Sequence, residues 1–394
     1  MTPIHAASAD PPAGPPPPRR SMVPPLLALF ATLSGCAPSP ATDSMPTALT
    51  IDSTARALMQ REQVQGLALA VIDHGAVVHV AAYGIRNAAG EALTAETIMY
   101  GASLTKTAFA YLVMQVVDDG RLNLDAPIAD LLPRPLPAYE DYADLAGDPR
   151  WRALTMRHLL THTTGFANFR WLEEDGKLRF HHDPGSRYGY SGEGFYIAQL
   201  VLEEALGLDV GQEMQRRVFD RFGMTRTSMQ WRPDFRANLA DGFRIDGTAE
   251  PHDERSSVSA AGSMDTDIAD QARFWAGLVR GDGLSPAARR EMMRPQVPIT
   301  SAHQFPTLAP DTNPGNAAVG LAAGLGLVTF RGPQGPAWFK GGHNDWTGNM
   351  VVCVERTGRC VVLLSNDVRA ERAYPDLVRA VLGETGLPWR WEYS

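Results

Sequence analysis

Lysine is the scarcest charge in this chain: of 36 basic residues only Lys106, Lys177 and Lys340 are lysine, and the rest are arginine. Arginine keeps its proton in a protein, whereas a buried lysine readily shifts its pKa and can serve as a base. A lysine retained against that background marks a position where lysine chemistry is required. Positive charge as a whole is also short. The net charge is −8, with no basic cluster beyond pairs such as Arg216-Arg217 and Arg289-Arg290, which excludes a nucleic-acid partner. A glycine-rich phosphate loop, a dinucleotide fingerprint and a Gly-x-Ser-x-Gly elbow are all missing, so nucleotide enzymes and α/β-hydrolases lack support and no cofactor is implied. His158 and His162 stand four apart with His181-His182 nearby, but no glutamate follows His158 as a zinc-protease motif demands. These histidines read as structural, and no metal is expected. The apolar stretch from Met22 to Leu33 is too short to cross a bilayer.

Present instead is a globular composition, 44% hydrophobic and 20% charged over 394 residues, enough for one large domain or two ordinary ones. The leader is different. A proline-rich opening ends in Arg19-Arg20, then comes the short apolar run, then Leu33-Ser34-Gly35-Cys36. A positive region, an apolar core and small residues at the cut site fit a secretory signal. The segment resembles a bacterial lipoprotein signal, which implies cleavage before Cys36 and lipidation of that cysteine. Alanine after Cys36 implies sorting to the outer membrane, facing the periplasm, with the lipid as the membrane attachment. Residues 1–36 are therefore read as signal, 37–50 as a flexible tether and 51–394 as the folded domain.

Within that domain, Ile51 to Gln63 has helical spacing, and Gly66–Ile72 and Ala76–Ala82 read as strands joined through Asp73-His74-Gly75. Ser103 opens a helix whose apolar positions Phe109, Leu112, Val113, Val116 and Val117 recur at three and four. The chain from there to about residue 250 reads as mostly helical. Strands return at Asn349–Val354 and Cys360–Leu364, and a helix closes the chain at Tyr374–Leu382. Strands at both ends with helices between predict an α+β fold: one antiparallel sheet from about 64–100 and 320–366, flanked by helices, with a mostly helical insert at 103–250. Cys353 and Cys360 flank a Thr-Gly turn. In an oxidising compartment they pair if they face each other, and a one-residue slip places them on opposite faces.

Ser103 and Lys106 form Ser-x-x-Lys, which sets both side chains on one helix face a turn apart. Serine is a weak nucleophile until a base takes its proton, and a desolvated lysine with lowered pKa can do so. Near a helix start the hydroxyl also meets free N–H groups that favour an oxyanion. The motif recurs by chance in a chain this long, so the remaining segments matter. Asp119-Gly120-Arg121-Leu122, His158-Leu159-Leu160-Thr161-His162-Thr163-Thr164-Gly165, Tyr188-Gly189-Tyr190-Ser191-Gly192, Phe222-Gly223-Met224-Thr225-Arg226-Thr227 and Ala261-Gly262-Ser263 follow in order. Together they resemble the serine β-lactamase-like and penicillin-binding-like hydrolases: class C β-lactamases, D-alanyl peptidases and family VIII esterases. The resemblance spans roughly residues 50–390 and implies that family's fold.

It also implies roles. Ser103 would form the acyl-enzyme and Lys106 would tune or accept its proton. Tyr190 matches the first residue of the Tyr-x-Asn motif, a base that later protonates the leaving group; two flanking lysines would favour its phenolate. Lys340-Gly341-Gly342 matches the Lys-Thr-Gly strand motif, with Gly341 and Gly342 giving substrate room along a strand edge. The backbone N–H groups of Ser103 and His343 would form the oxyanion hole, Ser191 lies in the tyrosine loop, and Trp346 is expected as a wall. An alternative alignment uses His343 as a His-x-Gly variant, but Asp345 stands where glycine is needed. Trp151 and Trp171 read as core or rim packing.

Two departures are specific. Gly192 replaces the asparagine that holds the substrate amide in β-lactamases, and Gly341 replaces the threonine that helps recognise the lactam carboxylate. The expected activity is hydrolysis of a carboxylic ester or D-amino-acid amide, a small-molecule or peptidoglycan-derived substrate. The alternatives are a true class C-like β-lactamase and a non-catalytic peptidoglycan- or lactam-binding protein.

Overall fold

The structure is a computed structural model that describes residues 45–393; the segment expected to be a signal, Cys36 and the expected tether up to residue 44 lie outside the described residues. The first helix, α1 (Ala48–Glu62), starts three residues inside the expected tether, where the Thr47 hydroxyl accepts from the Thr50 N–H and caps it. It runs into β1 (Gly66–Asp73) and β2 (Ala76–Gly84), joined at Gly75, whose φ of 73° suits glycine.

The sheet is completed from the far end of the chain by β3 (Val297–Pro298), β4 (Ala322–Ala323), β5 (Val328–Gly332), β6 (Gly335–Asn344), β7 (Thr347–Val354) and β8 (Arg359–Ser365). All neighbours are antiparallel, in the order β2-β1-β8-β7-β6-β5-β4-β3. The N- and C-terminal segments meet where β1 pairs β8, Leu67 opposite Ser365 and Ile72 opposite Cys360. Cys353 and Cys360 fall directly opposite each other, with Cα atoms 4.1 Å apart, and are joined as a disulfide.

Both faces of the central strands are covered, which is why they read as unbroken apolar runs. Along β1, Ala68, Ala70 and Ile72 pack into a core that continues into the helical region, while Leu67, Leu69 and Val71 face a second core. The second core is filled by Ile51, Ala55 and Met59 of α1 and by Leu377, Val378 and Val381 of α5 (Tyr374–Leu382). On the other face lie α2 (Leu104–Asp118) and α4 (Ile268–Arg280). Phe109, Leu112, Val113 and Val116 of α2 are fully buried, each contributing about 1.5–3 kcal/mol relative to exposure.

The insert departs from its expected regularity. Between α2 and α3 (Gly192–Leu200) the chain forms only one- and two-turn helices, including Met156–Leu160, and a long loop from Thr161 to Tyr190. Pro127, Pro133, Pro135, Pro137 and Pro149 withhold backbone donors there and stop each helix within a turn or two. A one-turn helix, α6 (Trp389–Glu392), follows Pro388 near the chain end.

Candidate active site

The nucleophile candidate sits at a strained corner. Ala102 has φ 46°, a left-handed conformation costly for any residue with a Cβ, and it aims Ser103 as the residue preceding α2. Lys106, one turn on, is buried with Nζ 3.0 Å from Ser103 Oγ. Its other contact is the carbonyl of Ala261, so the Ala-Gly-Ser segment holds the amine in place. Burial, and secondarily the charge of Lys340, push the Lys106 pKa well below the ordinary lysine value. A neutral amine with its lone pair at hydrogen-bond distance from a serine hydroxyl is a general base in waiting.

Tyr190 closes the third side. Lys340 Nζ is 3.3 Å from its hydroxyl, and Lys106 and Lys340 Nζ lie 5.1 and 5.2 Å from its ring centroid. The expected phenolate is not favoured. Burial raises the Tyr190 pKa, a hydrogen bond with Ser103 only partly opposes this, and the nearby Glu392 carboxylate adds to the rise. Lys340 is lowered by burial to about 8, against the pull of the Glu392 carboxylate. The arrangement fits Tyr190 as a proton donor and Lys106 as the acceptor.

His162 belongs to this wall, a role its sequence position gave no sign of. Its ring stacks on Tyr190 at 4.1 Å. Its Nδ1 accepts from the Ser191 N–H at 3.0 Å, which leaves the ring proton on Nε2. Burial and the two lysines hold its pKa well down, so it is a neutral aromatic plate.

Lys340, Gly341 and Gly342 lie on β6 beyond its pairing with β5, which ends at Phe339 opposite Val328. That half of the strand therefore keeps one edge without a neighbouring strand, as extended substrate binding requires. Gly342 is demanded by close approach: a Cβ there would come within 3.1 Å of the Ser103 nitrogen and 3.0 Å of the Leu104 nitrogen. His343 Nδ1 is 3.0 Å from Glu371 Oε1; burial lowers its pKa, but the Glu371 carboxylate outweighs this and raises it.

A cleft of about 220 Å³ joins these groups, lined by Ser103, Lys106, Tyr190, Lys340, Gly341, Gly342 and His343. Two expected members stand elsewhere. Trp346 packs on Gly242, with the Arg244 guanidinium 5.0 Å above its ring, and is not among the lining residues. Its place in the β6–β7 turn carries it past the site. Ser191 is fully buried, its hydroxyl donating to the Ala167 carbonyl and accepting from the Gly194 N–H, so it caps α3 and does not face the cleft.

Sequence reasoning missed Phe169, Phe305, Asn168, Gln304 and Glu392, all of which line the cleft. Phe169 explains Gly192: a Cβ on residue 192 would lie 2.2 Å from the Phe169 ring. The room an asparagine side chain would need is taken by an aromatic ring, itself stacked at 4.2 Å on the exposed Trp171. Glu392 does the same at Gly341, where a Cβ would lie 1.9 Å from its Oε1. Neither substitution leaves a hole. No signal in the sequence links 192 to 169 or 341 to 392, since both contacts are tertiary.

A sheet built from both chain ends, a Ser-x-x-Lys pair at a helix start and a lysine strand facing a tyrosine loop define a serine hydrolase of the β-lactamase and penicillin-binding type. The profile of the family described as "Beta-lactamase" matches residues 51–384, and the chain belongs to that family. It is 27% identical over 358 residues to penicillin-binding protein 4 of Amycolatopsis lactamdurans, covering 83% of this chain and 87% of that protein. Lovastatin esterase of Penicillium rubens is 28% identical over 223 residues, 48% of this chain and 56% of the esterase. Among solved structures, the octameric penicillin-binding protein homologue from Pyrococcus abyssi superposes with a TM-score of 0.68 at 19% identity, covering 86% of this chain and 78% of that one. A class C β-lactamase gives 0.67 at 16% identity, covering 84% and 94%. These two likenesses support the fold.

Proposed function

We propose that the protein hydrolyses a carboxylic ester or D-amino-acid amide through an acyl-enzyme on Ser103, with esters the better class. The neutral Lys106 amine takes the Ser103 proton as Oγ attacks the acyl carbon. The developing oxyanion is met by the N–H groups of Ser103 and His343, and the Tyr190 hydroxyl protonates the departing oxygen or nitrogen. Water then attacks the acyl carbon, giving its proton to the Tyr190 phenolate, and protonated Lys106 returns its proton to Ser103 Oγ as the acid leaves. Lys340 keeps positive charge beside Tyr190 and favours its transient phenolate.

The observation that carries the preference is the Phe169 ring in the space beside Gly192. A site built to hold an amide through a polar side chain loses much when that group is absent. An aromatic wall of Phe169 and Phe305 suits an apolar acyl or alcohol portion instead. Relatives named as a penicillin-binding protein and as an esterase are consistent with acyl transfer in this scaffold. The lipoprotein reading of Cys36 belongs to the same proposal and places the enzyme at the periplasmic face of the outer membrane; metabolic palmitate labelling lost in Cys36→Ala tests it.

Initial rates on a short-chain nitrophenyl ester and a chromogenic cephalosporin, wild type against Ser103→Ala, decide the activity. Ester turnover that vanishes in the variant, with the cephalosporin intact, is the expected result. Ser103-dependent opening of the cephalosporin at a rate comparable to the ester overturns the preference for esters.

A further inference from the structure

Glu392 is a charged residue that the fold has gone out of its way to bury. It sits on α6, two residues before the last residue Ser394, with only 3% of its surface exposed. Its Oε2 accepts from Gln304 Nε2 at 2.8 Å. Gln304 Oε1 in turn accepts from the Tyr188 hydroxyl at 3.1 Å. The segment is pinned further by the Gln304 N–H on the Trp391 carbonyl and by Trp391 Nε1 on Ser301. The remaining oxygen, Oε1, is buried and has no hydrogen-bond partner among the described residues. It lies directly over Gly341, on the strand half whose edge is open to substrate.

An orphaned buried acceptor is costly to leave unmade, and here it lies on the wall of the cleft beside the nucleophile. A substrate group that enters the cleft beside Gly341 passes next to the Glu392 carboxyl group that lines it. A second carboxylate there would be a like charge in a water-poor site, whereas an N–H, a hydroxyl or an ammonium would give Oε1 its missing partner. Burial, with Glu371, raises the Glu392 pKa, and the charges of His343 and Lys340 and the Gln304 hydrogen bond oppose this only in part; Glu371 is already committed to His343. Glu392, Phe305 and His343 also line the adjoining cavity of about 580 Å³, together with Glu371, Arg372 and Arg390.

We propose that Glu392 is a specificity-determining residue that bars acyl donors carrying a carboxylate beside the scissile bond and admits those presenting a hydrogen-bond donor or a cation at that position. The assignment rests on the reading of Ser103 as the acylated nucleophile. It narrows the substrate class to esters and amides whose leaving portion is neutral or amine-bearing, against free C-terminal peptides and β-lactams with their acid group.

The test pairs hippuryl-D-lactate with hippuryl-D-lactamide, two esters that differ in that one group, on wild type and Glu392→Gln. Wild type is expected to favour the lactamide in kcat/KM by at least about 100-fold, the discrimination that an unpaired or like-charged buried group enforces. In Glu392→Gln, which keeps the shape and removes the charge, the ratio is expected to fall at least tenfold, mostly through faster lactate turnover. Equal turnover of both esters by wild type, or an unchanged ratio in the variant, overturns the proposal. Should the variant fail to fold, wild type alone is titrated with phenylboronic acid and 3-carboxyphenylboronic acid. Tighter binding of the uncharged compound supports Glu392 as the barrier; equal affinity, or binding of neither, overturns it. Failure of the underlying reading looks different: no turnover of either ester and no labelling of Ser103 by a fluorophosphonate.

Discussion

Replacing Lys106 by methionine tests the proton acceptor most directly. Methionine matches the lysine stem in length and carries no charge, so it fits a site where burial already disfavours the charged amine. What is lost is a base 3.0 Å from Ser103 Oγ. A positioned general base contributes 10²–10⁴-fold, so kcat/KM on a nitrophenyl ester should fall by about that factor, or about 3–5 kcal/mol of transition-state stabilisation. Stability should move the other way at neutral pH. The folded-state pKa of Lys106 lies below its unfolded value, so between the two the unfolded chain binds an extra proton. Stability from this residue therefore rises with pH through that window and levels off near the ordinary lysine pKa. The methionine variant escapes that penalty, and the difference in Tm, variant minus wild type, should be larger at pH 6 than at pH 10. Stopped assays with intact-mass detection of the acyl-enzyme, together with thermal melts at both pH values, read the two effects. A folded Lys106→Met enzyme that keeps kcat/KM within threefold would refute the reasoning and leave the lysine a structural role.

Three further outcomes follow from the same geometry. Tyr190→Phe should slow alkyl esters by about 10²-fold or more but nitrophenyl esters far less, because a nitrophenolate needs no proton to leave; equal losses on both would remove Tyr190 as the donor. Gly192→Asn should destabilise by about 1–3 kcal/mol through collision with the Phe169 ring, and Phe169→Ala in the same chain should recover most of that cost, a non-additivity measured by urea melts. Arg170→Met strips the partner from Glu193, whose side chain is fully buried and 2.7 Å from the guanidinium. Leaving that carboxylate unpaired should cost about 3–5 kcal/mol, a Tm drop of about 4–7 °C for a domain this size, read by calorimetry.

The sequence by itself determined a good deal. Strand-like runs near both chain ends predicted one antiparallel sheet flanked by helices, and β1 does pair with β8. Helical spacing after Ser103 set Lys106 on the nucleophile's face, because a turn of helix is a local rule that tertiary contacts do not need to enforce. The closing helix at Tyr374–Leu382 fell where its pattern placed it. Local periodicity failed where prolines cut the insert into single turns.

Other features required the fold. Whether Cys353 meets Cys360 depends on register, which only the paired strands fix. The protonation of Tyr190 turned on burial, which cannot be read from the presence of two lysines. Trp346 and Ser191 lie near the right residues in sequence, but one is carried past the cleft by a turn and the other spends its hydroxyl on a helix cap. Above all, Gly192 and Gly341 read as two losses in the chain, whereas in space each is a gap filled by a side chain from elsewhere, Phe169 and Glu392. A sequence motif records what a position lacks; only packing, in which two atoms cannot share one volume, records what took its place.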